Sequence, residues 1–243
     1  MLLTTFDSLP STNQYCELLD LNQVEEFAVF YAREQTAGIG QRGNSWFSSP
    51  GKNLTFSLIL KPALLPIADQ YQLTKVVSLG LADCLSQLIP CPADIRIKWP
   101  NDIYVQRRKI AGILISHHIS NSRIANSIVG IGLNVNQGTF PEYLPNPVSL
   151  FQITGNEQPL MPLLENLVGH IAHRYQQLQA NLHALDEEYL SLLLNYRQPA
   201  DYLYHGTLIR ATILGINSFG HLMLQLSDGS AITCQLKELA FCL

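Results

Sequence analysis

The texture of the chain changes at Gln198-Pro199, and that change limits what can fold on either side of it. Before it, strand-like alternation is interleaved with helical periodicity. After it, from Gly206 to Leu239, short β-branched and aliphatic runs at 208–213, 222–226 and 231–235 are split by Ser218-Phe219-Gly220 and Asp228-Gly229, which are hairpin signals. The pattern predicts an α+β domain over residues 1–195 and a small all-β domain over 196–243. A unit of about 45 residues is near the lower limit for independent folding, so the second domain is expected to pack on the first.

Within the larger part, residues 2–6 read as a strand, and Ser11-Thr12-Asn13 can cap a helix running to about residue 21. Residues 27–35 and 53–60 read as strands, and residues 36–51 between them form a glycine-bearing loop of a length that is usually functional or mobile. Apolar side chains at helical spacing (Leu73, Val76, Val77, Leu81, Leu85) mark a helix over 70–88. Strands follow at 95–99, 109–117 and 126–135, with Pro100-Asn101-Asp102 as a turn, and residues 162–194 carry two helices.

Charge is unevenly placed. The chain has 15 Lys and Arg against 19 Asp and Glu, a net charge of -4, which argues against a general electrostatic hold on DNA or an anionic membrane. Between Arg33 and Arg123, however, 11 basic residues face five acidic ones, so this window suits an anionic ligand. The five cysteines are scattered without CxxC spacing, and the N-terminus has no basic, apolar leader; the expectation is a reduced, cytoplasmic protein. No apolar run approaches the ~18 residues of a membrane-spanning helix.

Four segments carry chemistry. In the loop from Gln35 to Trp46, Gly38, Gly40 and Gly43 allow backbone N–H groups to approach an anion, and Arg42 can grip an oxyanion bidentately. Its spacing is not a dinucleotide fingerprint, and a plain surface hairpin is the bland alternative. Lys98-Trp99-Pro100-Asn101-Asp102 ends a strand with a cation and a rigid turn whose Asn101 or Asp102 suits Mg²⁺, or merely its own backbone. Arg108-Lys109-Ile110-Ala111-Gly112-Ile113-Leu114 opens a strand with Lys109 either directed inward by the pleat or left on a solvated edge. Gly130-Ile131-Gly132-Leu133-Asn134-Val135-Asn136 is a buried strand whose glycines admit a ligand or another strand.

In their order and spacing these segments, with Ser11-Thr12-Asn13, resemble the biotin protein ligase family along essentially the whole chain. The resemblance implies a central mixed β-sheet with helices on one side, as in class II aminoacyl-tRNA synthetases, followed by an SH3-like barrel. It implies that ATP and biotin are condensed to biotinyl-5′-AMP with Mg²⁺, and that the biotinyl group passes to a lysine of a biotin carboxyl carrier domain of a carboxylase. By analogy Lys109 and Arg42 are catalytic. Ser11, Thr12, Asn13, Gln35, Gly38, Ile39, Gly40, Gln41, Trp46, Lys109 and Gly112 bind biotin. Arg42, Trp46, Lys98, Asn101, Asp102 and Asn134 serve ATP, with Asn101 and Asp102 at the metal.

One departure stands out. The family loop usually reads Gly-Arg-Gly, whereas here that arginine is Ile39 and a second commonly basic position is Gln41. Faster leakage of the adenylate or weaker biotin binding is therefore expected. The ligase-like sequence begins at about residue 6, so no DNA-binding domain and no repressor role are expected. Phe140, Tyr143 and Leu144 lie where the family has a loop that folds over the adenylate, which suggests ordering of residues 137–144 on ligand binding. Lipoate or octanoate attachment is a sister reading, against which the Trp46 loop and the C-terminal barrel speak. A non-catalytic biotin- or carrier-binding homologue is the other. Monomer and homodimer both remain open. Trp99 reads equally as a packing anchor or a ligand contact, and His117-His118 as a surface pair without a carboxylate partner.

Overall fold

The computed structural model describes residues 2–63 and 65–242, with Arg42 described through its backbone alone. Among these residues seven strands make one sheet: β1 (Leu3–Leu9), β2 (Val29–Gln35), β3 (Leu54–Leu60), β4 (Ile95–Lys98), β5 (Asp102–Val105), β6 (Arg108–Ser120) and β7 (Arg123–Leu133). Their order is β1-β2-β3-β7-β6-β5-β4. β1 and β2 run parallel and the other neighbours antiparallel, so the sheet is mixed.

The pleat divides each strand between two faces. On β3, Leu54, Phe56, Leu58 and Leu60 join the main core, whereas Ile59 belongs to a second cluster with Cys16, Phe30 and Ile128. The main core is closed by the longer helices, α2 (Tyr71–Ser86) and α4 (Leu160–Ala180), together with α5 (Asp186–Leu192). On the opposite face α1 (Thr12–Glu17) packs on β2, β3 and β7. The centre of this face, where β6 and β7 carry Gly112, Gly130 and Gly132, is left to loops. A further short helix, α3 (Leu150–Thr154), starts in a capping box between Ser149 and Gln152 and stops at Gly155 in the left-handed region.

Five strands after residue 198 form a second antiparallel sheet: β8 (Pro199–Tyr204), β9 (Thr207–Ile216), β10 (Leu222–Leu226), β11 (Ala231–Cys234) and β12 (Leu239–Phe241), in the order β11-β10-β9-β8-β12. Tyr202, Ile213, Leu222 and Leu224 belong to the same buried cluster as α2 and the large sheet, so the small barrel-like unit shares its core with the larger one. The β9–β10 tip docks on the corner after β4. There the Trp99 indole Nε1 donates to the Gly220 carbonyl at 2.8 Å, and Trp99 is only 2% exposed. Trp99 is thus a packing anchor between the two sheets. The Trp99–Pro100 peptide is cis, and the Tyr71 hydroxyl donates to the Pro100 carbonyl at 3.0 Å.

Several elements differ from the sequence pattern. β5, β8, β12 and α3, three to six residues long, are not expected from the sequence pattern. α1 ends at Glu17 rather than near residue 21, because Leu18 is 87% exposed and the chain turns through a bond from Gln23 N–H to Asp20 O. β6 and β7 run longer than expected, joined by Asn121 and Ser122, both at positive φ as a two-residue hairpin turn requires.

Candidate active site

The open centre of the sheet holds the site. α1 delivers Ser11, Thr12 and Asn13 over β3, all buried. The Thr12 backbone N–H and hydroxyl both donate to Gln35 Oε1, at 2.7 and 3.1 Å. The Ser57 hydroxyl donates to Asn13 Oδ1 at 2.5 Å and lies 2.8 Å from the Thr12 hydroxyl. Asn13 Nδ2 in turn reaches the Leu114 carbonyl at 3.3 Å. This is a fixed polar wall, suited to a neutral ligand whose donors and acceptors must be matched. Ser57 was not anticipated from sequence; it is one of two hydroxyl residues, with Thr55, in a strand whose other members are apolar.

The glycines of β6 and β7 make room. A Cβ on Gly130 would stand 2.3 Å from Asn13 Oδ1, and one on Gly132 would stand 2.2 Å from the Trp46 indole. Trp46 therefore lies directly on the sheet. The loop that carries it is closed by Trp46 N–H to Gly38 O at 2.8 Å and Gly40 N–H to Asn44 O at 2.6 Å. Ser11, Thr12, Asn13, Gln35, Ile39, Gly40, Gln41, Trp46, Asn101, Lys109 and Gly112 line one cavity of about 50 Å³. Gly38 is absent from its wall. A Cβ there would meet the Trp46 carbonyl at 2.5 Å, so Gly38 serves loop closure. The Arg42 side chain lies outside the described residues.

Lys109 reaches this cavity through a bulge. The β5–β6 register shifts between Ile103 and Tyr104, so Ala111 faces Ile103 but Lys109 faces Tyr104. A regular pleat would put residues 109 and 112 on opposite faces; the extra residue brings them to one. The Lys109 side chain accordingly runs past Gly112, with Cε 3.4 Å from where its Cβ would be. Lys109 Nζ pairs with Asp102 Oδ1 at 2.7 Å and sits 5.5 Å from the Trp46 ring centroid.

A second cavity of about 340 Å³ opens on the other side of Trp46 and Lys109, walled by Asn134, Phe140, Tyr143, Leu144 and Pro147. Its loop is tied to the lysine itself: Lys109 N–H donates to Asn146 O at 2.7 Å and Val148 N–H to Lys109 O at 2.9 Å. Asn134 Nδ2 donates to the Val148 carbonyl at 3.0 Å. Its Oδ1 and the Trp46 Nε1 are buried with no hydrogen-bond partner among the described residues. Two orphaned polar atoms flanking one cation mark a place for a polar ligand.

Lys98 and Asp102 line neither cavity and stand behind Lys109. Asp102 Oδ2 is 4.0 Å from Lys98 Nζ, and burial lowers the Lys98 pKa against the opposing effect of Asp102. Asn101 is spent on Ile113, its Nδ2 donating to that carbonyl at 2.6 Å. The pair expected at Mg²⁺ does not fit a protein-held metal, because the carboxylate stands between two ammonium groups, with Lys109 Nζ at 2.7 Å and Lys98 Nζ at 4.0 Å. No cluster of three or more metal-ligating side chains occurs among the described residues. Cys16, behind Ser57, is no nucleophile, because burial pushes its thiol up to about 12. The histidine pair also departs from expectation, since His118 Nε2 lies 2.8 Å from Glu17 Oε2.

Comparison with known proteins agrees with this geometry. The model of the biotin/lipoate A/B protein ligase family matches residues 5–134. The bifunctional ligase/repressor BirA of Bacillus subtilis is 30% identical over 231 residues, covering 92% of this chain and 69% of that protein. The biotin–[acetyl-CoA-carboxylase] ligase of Paracoccus denitrificans is 34% identical over 151 residues, 60% of this chain and 62% of that one. Among solved structures, the biotin protein ligase of Aquifex aeolicus in complex with biotin and ATP superposes with a TM-score of 0.81 at 24% identity, covering 98% of this chain and 97% of that one. With more than half of its length matched by the family model, the chain belongs to the biotin/lipoate A/B protein ligase family.

Proposed function

We propose that the chain is a biotin–protein ligase that joins biotin to ATP as biotinyl-5′-AMP and passes the biotinyl group to a lysine of a carboxylase carrier domain. The observation that carries this reading is Lys109. It is shared by the two cavities, the hydrogen-bonding one under α1 and the larger one under the 140–147 loop. A carboxylate entering from the first and an α-phosphate from the second would meet at its ammonium. A carboxylate oxygen then forms the bond to phosphorus as the bond to the departing pyrophosphate breaks. Negative charge gathers on the phosphoryl oxygens in that transition state, and a cation already held by Asp102 needs no reorganisation to meet it. In the second step the carrier lysine amine attacks the carboxyl carbon, AMP leaves, and the amine gives up its proton.

The polar wall of Thr12, Asn13 and Gln35 suits the neutral ureido ring, and Gly112 with Ile39 and Trp46 suits the aliphatic tail. The orphaned Asn134 Oδ1 suits an amino donor on the base of the nucleotide. Mg²⁺ belongs in this scheme with the phosphates of ATP, as part of the substrate. Incubation with ATP, Mg²⁺, labelled biotin and a biotin carrier domain should label a single carrier lysine. Labelling from lipoate or octanoate, with none from biotin, would reject the assignment.

A further inference from the structure

We propose that Phe241, on the last strand of the small C-terminal sheet, is a positioning residue for the lysine cluster of the active site. This rests on the ligase reading above and adds to it a part for the second sheet. Lys98 Nζ lies 5.2 Å from the Phe241 ring centroid and 5.6 Å from that of Tyr104, while its distance to Asp102 is 4.0 Å. The ammonium is thus shared between two aromatic faces and a carboxylate that it does not closely contact. Asp102 keeps its short bond, 2.7 Å, for Lys109.

The two lysines compete for one carboxylate, and ring quadrupoles hold the loser in place. An ammonium only partly open to water, its side chain 20% exposed, benefits from such compensation. Tyr104 comes from β5, beside Lys98 in the same sheet, but Phe241 comes from β12 and is itself fixed. It is paired in register with Tyr202 and packed edge-on against that ring at 5.2 Å and 81°. Tyr202 is fully buried. On the other side of the same corner, Trp99 is bound to Gly220 of the β9–β10 tip. The small sheet therefore grips residues 98 and 99 from two directions. Losing the Phe241 face releases Lys98 to close on Asp102 or to leave for water, and in either case the charge balance at Asp102 that sets Lys109 changes.

The test uses the full chain with Phe241→Leu, Phe241→Ala and Phe241→Tyr, read by biotin-dependent exchange of pyrophosphate into ATP, by biotin binding without ATP, and by thermal melting. The expected result is a loss in exchange of about three- to tenfold in Phe241→Leu, the scale of one partly desolvated cation–π contact. The loss should appear in kcat and the KM for ATP, with biotin affinity falling no further than the rate, and Phe241→Tyr should restore both whatever the change in melting temperature. Exchange in Phe241→Leu equal to the unaltered protein would overturn the proposal. So would equal losses in the leucine and tyrosine variants that follow a fall in melting temperature, which would leave Phe241 a packing residue only. Absence of exchange in the unaltered protein would instead reject the ligase reading, and the two failures are thereby told apart.

Discussion

At the scale of residues, the site depends on where side chains are missing as much as on where they stand. Gly132 is the clearest case. Gly132→Ala would set a methyl group inside the Trp46 indole, and overpacking of this kind costs about 1–3 kcal/mol. We expect biotin affinity to fall at least tenfold in calorimetric titration, since Trp46 must shift; unchanged affinity would show that the indole does not shape the cavity. Ile39 is the complementary case, an apolar side chain on the cavity wall where a cation is usual in the family. Ile39→Arg should slow release of biotinyl-5′-AMP in stopped-flow measurements, and release that becomes no slower would show that the loop needs no second cation. Lys109 was legible as a candidate from its motif, yet the pleat alone leaves its direction open. The bulge that settles it depends on how β5 pairs with β6, and β5 is only four residues long.

At the scale of elements, the β6–β7 hairpin both floors the site and carries a titratable group. His117 Nδ1 lies 2.9 Å from the Ser127 hydroxyl, and burial lowers its pKa from the ordinary 6.5. The folded protein therefore binds this proton less readily than the unfolded chain does. Stability from this group is complete above about pH 6.5 and declines as the pH falls toward its lowered value. Urea unfolding at pH 7.5 and 5.5 should show a loss on acidification that His117→Gln reduces; an equal loss in the variant would assign it elsewhere. The loop after β7 makes a second prediction. Because residues 146–148 are bonded to Lys109 and Phe140, Tyr143 and Leu144 wall the larger cavity, biotin with ATP should protect amides of residues 137–144 from hydrogen exchange. Unchanged exchange would separate that loop from the ligand. Elements with several periods, such as α2 and β3, were readable because one face of each is continuously apolar. α3 and β12 escaped because capping and pairing, rather than periodicity, define them.

At the scale of the whole molecule, the boundary near residue 198 marks a change of architecture without a break in the core. Hairpin signals revealed the second sheet, but the shared cluster and the Trp99–Gly220 bond arise between segments about 120 positions apart and have no local trace. The same holds for the site. Its motifs were separately visible, and their meeting over Gly112, Gly130 and Gly132 follows from the strand order. The charge asymmetry takes on a spatial meaning as well. Lys98 and Lys109, from the basic window, converge on a single buried carboxylate beside two cavities. The central claim is that Lys109 brings carboxylate and α-phosphate together, and its most direct test is recovery of the intermediate. With ATP, Mg²⁺ and labelled biotin but no carrier, the unaltered protein should accumulate bound biotinyl-5′-AMP. Lys109→Ala, equally folded by circular dichroism, should form it about 10²–10³-fold more slowly, the scale of one lost electrostatic contact to a transition state. Adenylate formation in Lys109→Ala at the unaltered rate would contradict the account.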